Sequence, residues 1–161
     1  MGLFDTLFKP DLDKLFSNLK DGNMDVREST VDKLIKHGGP EMKEKVLAEL
    51  ERIAKGDLTD VAATGTAKMA KLLIKAGADV NIRTSPGGYT PLIIAAARGK
   101  TEIVKVLLDA GANIYLTGKD GIRAESKAYN NSRNTDLNKH YIETYKLLAK
   151  TREKIESSGT Q

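Results

Sequence analysis

Two histidines, His37 and His140, are the first side chains in this sequence that could carry acid–base or metal chemistry. They stand more than 100 residues apart, and neither has a second histidine at the short spacing that places two ligands on one helical face. His37 instead falls where a helix should end, a position at which an imidazolium suits the carbonyl end of the helix dipole. The run TGTAK, Thr64 to Lys68, has the glycine and lysine of a phosphate loop. It lacks that loop's four-residue interval and its closing Gly-Lys-Ser/Thr, so it reads as a turn. The chain has no cysteine, which excludes disulfides, thiolate metal sites and a thiol nucleophile. No Gly-x-Ser-x-Gly is present to raise a serine nucleophile. The carboxylates fall beside lysines, the pattern of a solvated surface and not of a desolvated acid–base pair. These residues predict no enzymatic activity, no cofactor, no metal and no small-molecule substrate.

The most patterned stretch is GGYTPLIIAAARGK, Gly87 to Lys100, and its residue types specify scaffold. Thr90 can cap a helix whose first residue, Pro91, has no N–H to leave unpaired. Leu92, Ile94, Ala95 and Ala96 follow, small enough in part for close approach of neighbours. Gly99 closes the helix, since a residue tolerant of positive φ is needed there. Glu102 then suits the first turn of a second helix, and Ile103, Val104, Leu107 and Leu108 recur on one face of it. Gly111 ends that helix, and the chain runs on to a turn at Asp120-Gly121.

The same pattern recurs. AKMAKLLIKAGADV, Ala67 to Val80, aligns with TEIVKVLLDAGANI, Thr101 to Ile114, placing Leu73 over Leu107 and Gly77 over Gly111 at an offset of 34 residues. Gly88 matches Gly121 at 33 residues, as does Ala95 with Ala128. A period of this length, built of helix, turn, helix and glycine-bounded loop, predicts a stacked solenoid, because one unit cannot bury its own apolar face.

Gly88 to Asn113 resembles the ankyrin repeat, matching its G-x-T-P-L-H, A-A-x-x-G, E-I-V-x-x-L-L and G-A-D/N elements. Ile93 stands where that family has histidine, and SPGG lengthens the loop by one residue. The resemblance covers residues 56–150, as one full and two degenerate repeats. GDLTDVAATG, Gly56 to Gly65, replaces the Thr-Pro-Leu start of the first. GIRAESKAY departs similarly in the third and is followed by a polar insertion, Asn130 to Lys139. Tyr141, Ile142, Tyr145, Leu148 and Ile155 mark a closing helix, and residues 151–161 form its end and a frayed SSGTQ tail. The expected fold class is therefore all-α: an α-solenoid of stacked helical hairpins with hairpin-like finger loops.

Residues 1–55 differ. Asp25 and Glu28 make a capping-box-like start, His37-Gly38-Gly39 a stop, and Pro40 a second start, so the segment resembles a HEAT-type helical pair stacked on the first repeat. Before it, MGLFDTLFKP lacks the basic and apolar regions of a secretory signal. Its Met1-Gly2 and Thr6 fit a loose myristoylation pattern, and Leu3, Phe4, Leu7 and Phe8 recur at helical spacing. That face either folds onto the body or docks on a membrane, which makes a membrane-peripheral adaptor the alternative reading.

The formal charge is +4. Residues 1–56 contribute −1, 57–118 contribute +2 and 119–161 contribute +3. Basic residues are thus interleaved with acidic ones and do not form the stripe that a nucleic-acid partner requires. The ankyrin resemblance implies instead a non-enzymatic module that binds a protein partner through its fingers and the exposed face of its first helices. By position this selects Arg83, Ser85, Pro86 and Tyr89 on the first finger and Ala97 and Arg98 at the end of the first helix. It also selects Thr117, Lys119 and Ile122 on the second finger, with Arg123 just beyond. Tyr89 and Arg98 stand out, because aromatic and arginine side chains dominate interfaces. Tyr115 either packs locally or extends that surface. The chain's start resembles that of small cytoplasmic bacterial proteins, and the resemblance carries a toxin-neutralising (immunity) or enzyme-modulating role as an expectation.

Overall fold

The computed structural model describes residues 26, 29–31, 33, 44–46, 48, 58–134 and 138–158. The described residues before 58 are all helical. The expected capping residues Asp25 and Glu28, the Gly-Gly-Pro break and the Leu3/Phe4/Leu7/Phe8 face lie outside the described residues. From there the elements are α1 (58–64), α2 (Ala67–Lys75), α3 (Pro91–Ala97), α4 (Thr101–Asp109), α5 (Ala124–Asn134) and α6 (Asn138–Ser158). Among the described residues, extended pairing is confined to one antiparallel bridge, Thr117 with Arg123.

Local chemistry sets the ends of these helices. The Thr66 hydroxyl accepts the Met69 N–H at 3.2 Å at the start of α2. Thr90 does the same for Ile93 at 3.3 Å, ahead of Pro91 in the first position of α3. Each such cap contributes about 1 kcal/mol. At the far end of α3, the Lys100 N–H reaches back to the Ala95 carbonyl at 2.9 Å and the Gly99 N–H to that of Ala96 at 3.2 Å. This closure puts Gly99 at φ +64°, the left-handed region that a side chain disfavours. The same closure recurs 34 residues apart, with Ala78 bonded to Leu73 and Ala112 to Leu107.

The helices then stack in register. α3 packs on α5, while α2 packs on α4 and α4 on α6. Leu58, Val61, Met69, Leu73, Leu92, Ile93, Val104, Leu107 and Leu148 fill the space between them, each no more than 2 % exposed. Val31 and Val46 are buried in the same core. Ala95 and Ala96 are fully buried, which lets the short α3 sit close to its neighbours. Ile93, in the position where the family has histidine, is simply part of the apolar core.

One expectation is given its structure here and another is corrected. The polar stretch expected at Asn130 to Lys139 begins as helix: α5 runs on to Asn134, with 11 residues against seven in α3. Asn131 Nδ2 donates to the Ala97 carbonyl at 2.7 Å, so a residue of modest helix propensity is held by serving an open carbonyl at the end of α3. Likewise Ser157 and Ser158 belong to α6 and not to a frayed tail, because both hydroxyls bond back to the Lys154 carbonyl. α6 has 21 residues against 11 in α5, so it overruns its partner and leaves Ile155 44 % exposed.

One buried polar contact ties the last pair of helices to the preceding repeat. Thr144, fully buried on α6, meets the Thr101 hydroxyl at 2.8 Å, and the Thr101 hydroxyl donates to the His140 carbonyl at 3.2 Å. Replacing Thr101 by Val leaves the Thr144 hydroxyl without this partner, at an expected cost of about 1–2 kcal/mol. The double variant Thr101→Val/Thr144→Val should recover part of that loss, which a urea-unfolding double-mutant cycle measures. On the outer side of the stack, Arg152 pairs with Glu125 and Glu156, each at 3.1 Å. The Tyr129 and Tyr145 rings meet there at 5.4 Å, with Arg133 5.8 Å over Tyr129. This gives the terminal repeat the polar outer face that a solenoid end requires.

Candidate functional site: the paired fingers

The loop between α2 and α3 forms the first finger. Its neck is closed by the Thr84 N–H on the Tyr89 carbonyl at 2.9 Å and by the Tyr89 N–H on the Thr84 hydroxyl at 3.0 Å. The tip between them contains a cis Ser85–Pro86 peptide. The second finger, between α4 and α5, is closed by the Thr117–Arg123 bridge and by the Gly118 N–H on the Ile122 carbonyl at 3.2 Å. The Asp120 carboxylate turns its tip by accepting the Ile122 N–H at 3.0 Å.

These fingers are bonded to each other. The Lys119 N–H donates to the Gly87 carbonyl at 3.0 Å. Arg83 Nη1 donates to the Gly88 carbonyl of its own finger at 3.0 Å and to the Thr117 carbonyl of the next at 2.7 Å. The Tyr89 hydroxyl donates to Asp120 Oδ2 at 2.8 Å. The same oxygen takes Lys127 Nζ at 2.7 Å, and that ammonium stands 5.0 Å from the centre of the Tyr89 ring, within cation–π range. The ring lies in a slot walled by backbone. A β-carbon on Gly118 would come within 2.5 Å of Tyr89 Cε1, and one on Gly87 within 2.7 Å of Cδ2. Only glycine leaves that space open.

The residues singled out from the sequence divide accordingly. Arg83, Ser85 and Pro86 are exposed on the first finger, Lys119 and Arg123 on the second. Tyr89, Thr117 and Ile122 are half-buried and work within the finger contact. Arg98 is exposed but lies at the other end of α3 from Tyr89, about 10 Å away along a seven-residue helix. There it lines a separate groove of about 540 Å³ with Lys100, Glu102, His140 and Glu143, so Tyr89 and Arg98 do not share one surface patch. Tyr115 is 42 % exposed and extends the surface beside the fingers. TGTAK is the turn between α1 and α2, with Thr66 occupied as the cap of α2. Asp120, Lys127, Gly87 and Gly118 were not singled out; the Asp-Gly step announced a turn, but nothing in the sequence pairs Asp120 with a residue 31 positions earlier.

The electrostatics follow from this geometry. The Asp120 carboxyl is held down from its ordinary 3.8 to about 2, first by the hydrogen bond from Lys127, then by the Ile122 N–H and the Tyr89 hydroxyl. Lys127 is raised in return, chiefly by Asp120. A carboxyl whose folded pKa is depressed stabilises the folded state above its unfolded value and loses that contribution as pH falls through the folded one. The finger contact should therefore persist at pH 4 to 5 and loosen only between about 4 and 2. An NMR titration of the Asp120 side-chain carbon checks this, with Tyr89→Phe expected to move the midpoint upward.

Among the described residues no group of three or more His, Asp or Glu is placed to hold a metal ion. No described helix is long and apolar enough to cross a membrane.

No curated protein matches the chain in sequence. Residues 26–118 match the family described as "Ankyrin repeats (3 copies)". That span takes in part of the segment read as a HEAT-like pair and stops at the second finger, before α5 and α6. It covers more than half of the chain, and it contains the helix pairs α1–α2 and α3–α4 and the whole of the first finger. On sequence match, period and stacking alike, the chain belongs to the ankyrin-repeat family.

Proposed function

We propose that this protein is a non-enzymatic binding module that holds a protein partner against its fingers. Ankyrin repeats generally mediate protein–protein interaction, and the observation that carries the reading here is the bonding of one finger to the next. Four hydrogen bonds cross between the fingers, from the Lys119 N–H, Arg83, Tyr89 and the Asn113 N–H, the last to Asn81 Oδ1 at 2.9 Å. Loops fixed before binding lose little conformational freedom on binding, which raises affinity without any added contact. We read the mode of action as occlusion, in which a rigid face laid over a toxin or an enzyme blocks its surface.

Affinity chromatography from native extract followed by size exclusion tests this. A stoichiometric complex that survives gel filtration supports the reading, and inhibition of the partner's activity on binding supports occlusion. A chain that elutes alone at every step, while folded by circular dichroism, refutes it. The alternative, membrane docking through Leu3, Phe4, Leu7 and Phe8, predicts liposome co-sedimentation that is lost when residues 1–9 are removed.

A further inference from the structure

The fingertips place two cations together without a carboxylate between them. Arg83 Nη1 and Lys119 Cγ flank Gly88, lying 3.7 Å and 3.3 Å from the position a Gly88 β-carbon would take. Both side chains are exposed. The Arg83 guanidinium is fixed by two carbonyls, of Gly88 and Thr117, neither of which neutralises its charge. Lys119 makes no ion pair among the described residues. The nearest acid in sequence, Asp120, is already taken by Lys127, the Ile122 N–H and Tyr89. Glu125 on α5 is likewise taken, by Arg152. Arg123, exposed and opposite Thr117 in the bridge, adds a third cation to the same finger.

Like charges brought near each other repel, and the bonds from Arg83 to two carbonyls hold its charge at the tip without neutralising it. What the arrangement suits is an anion arriving from outside: the exposed guanidinium has donors beyond the Nη1 that its two carbonyls engage, and the exposed Lys119 side chain passes the same glycine. We propose that Arg83 and Lys119, whose exposed side chains both pass the buried Gly88, bind carboxylates of an acidic segment of the protein partner. This rests on the protein-binding reading above and names the chemistry of its partner. A nucleic acid fits less well, because the basic residues are interleaved with acidic ones along the chain and do not form the long stripe that tracks a phosphate backbone.

The test uses the full chain and three fluorescent probes of equal length: a peptide alternating Glu with Gly, its Gln counterpart, and a single-stranded oligonucleotide. The Glu peptide should bind and the Gln peptide should not, with affinity falling as salt is raised. Lys119→Glu should weaken binding at least about fivefold, and Lys119→Arg should restore it. The Lys119 side chain makes no hydrogen bond that holds the fingers, so an unchanged melting curve for Lys119→Glu separates lost affinity from lost structure. The proposal is overturned if the Glu peptide fails to bind, if Lys119→Glu binds it as the wild type does, or if the oligonucleotide binds more tightly. In any of those cases the protein-binding reading is judged separately, by whether the wild-type chain still holds a stoichiometric partner.

Discussion

Gly118→Val is expected to take the two fingers apart and to weaken partner binding by at least about tenfold, while the helical stack stays folded. The reason is space. A β-carbon at this position would lie 2.5 Å and 2.6 Å from the Tyr89 ring and 2.8 Å from Asp120 Oδ1, all shorter than a van der Waals contact. Valine adds two methyl groups beyond that point. The ring cannot retreat the other way, because Gly87 closes the slot on the opposite side. Tyr89 must therefore leave, and with it go the hydrogen bond to Asp120 and the packing of Lys127 over the ring. Amide hydrogen exchange should quicken in residues 83–90 and 117–123 and stay unchanged in α2 and α4. Gly121→Ala is the matched comparison. Gly121 sits at φ +72° with nothing within 4 Å, so it should cost only about 1–2 kcal/mol of local strain and leave Tyr89 in place.

Leu107→Ala should destabilise the fold by about 3 kcal/mol, within the range of 2–5 for leucine truncation in a core. Leu107 is completely buried on α4, the helix that packs between α2 and α6. A cavity there is walled by two repeats at once, so neither can collapse into it alone. With total stabilities of roughly 5–15 kcal/mol for a domain of this kind, the loss is a large share. The neighbouring Leu108 is only half-buried, and Leu108→Ala should cost clearly less. Urea unfolding of the two variants side by side measures the difference, and equal losses would contradict the placement of α4.

The scaffold was legible because its signals are local. Thr90-Pro91 states a helix start, Gly99 and Gly111 state helix ends, and the 34-residue offset between Gly77 and Gly111 states the stacking period. The starts and ends depend on dihedral preference or on a bond within five residues, and the period follows from their recurrence. The finger contact depends on something the chain does not write down: the distance between one loop and the next after stacking. Tyr89, Asp120 and Lys127 have no pattern in common, and they meet only because successive repeats bring the two tips together. The sequence points to Tyr89 as a free contact, whereas in the structure its hydroxyl is bonded to Asp120 of the next finger. Arg98 was grouped with it because both border α3, although a seven-residue helix sends its two ends to opposite edges of the stack. Asn130 to Asn134 continue α5 although asparagine is a weak helix former, and the bond from Asn131 to the end of α3 exists only in the assembled repeat.

The central claim is that the bonded fingers are the surface that holds a partner. Hydrogen–deuterium exchange on the isolated complex tests it most directly, by comparing each peptide of this chain with and without the partner. The account predicts new protection concentrated in residues 83–89 and 115–123, with α2 and α4 unchanged. Protection confined to α2 and α4, or to the groove at Arg98 and His140, with the fingers exchanging as they do in the free chain, would contradict it.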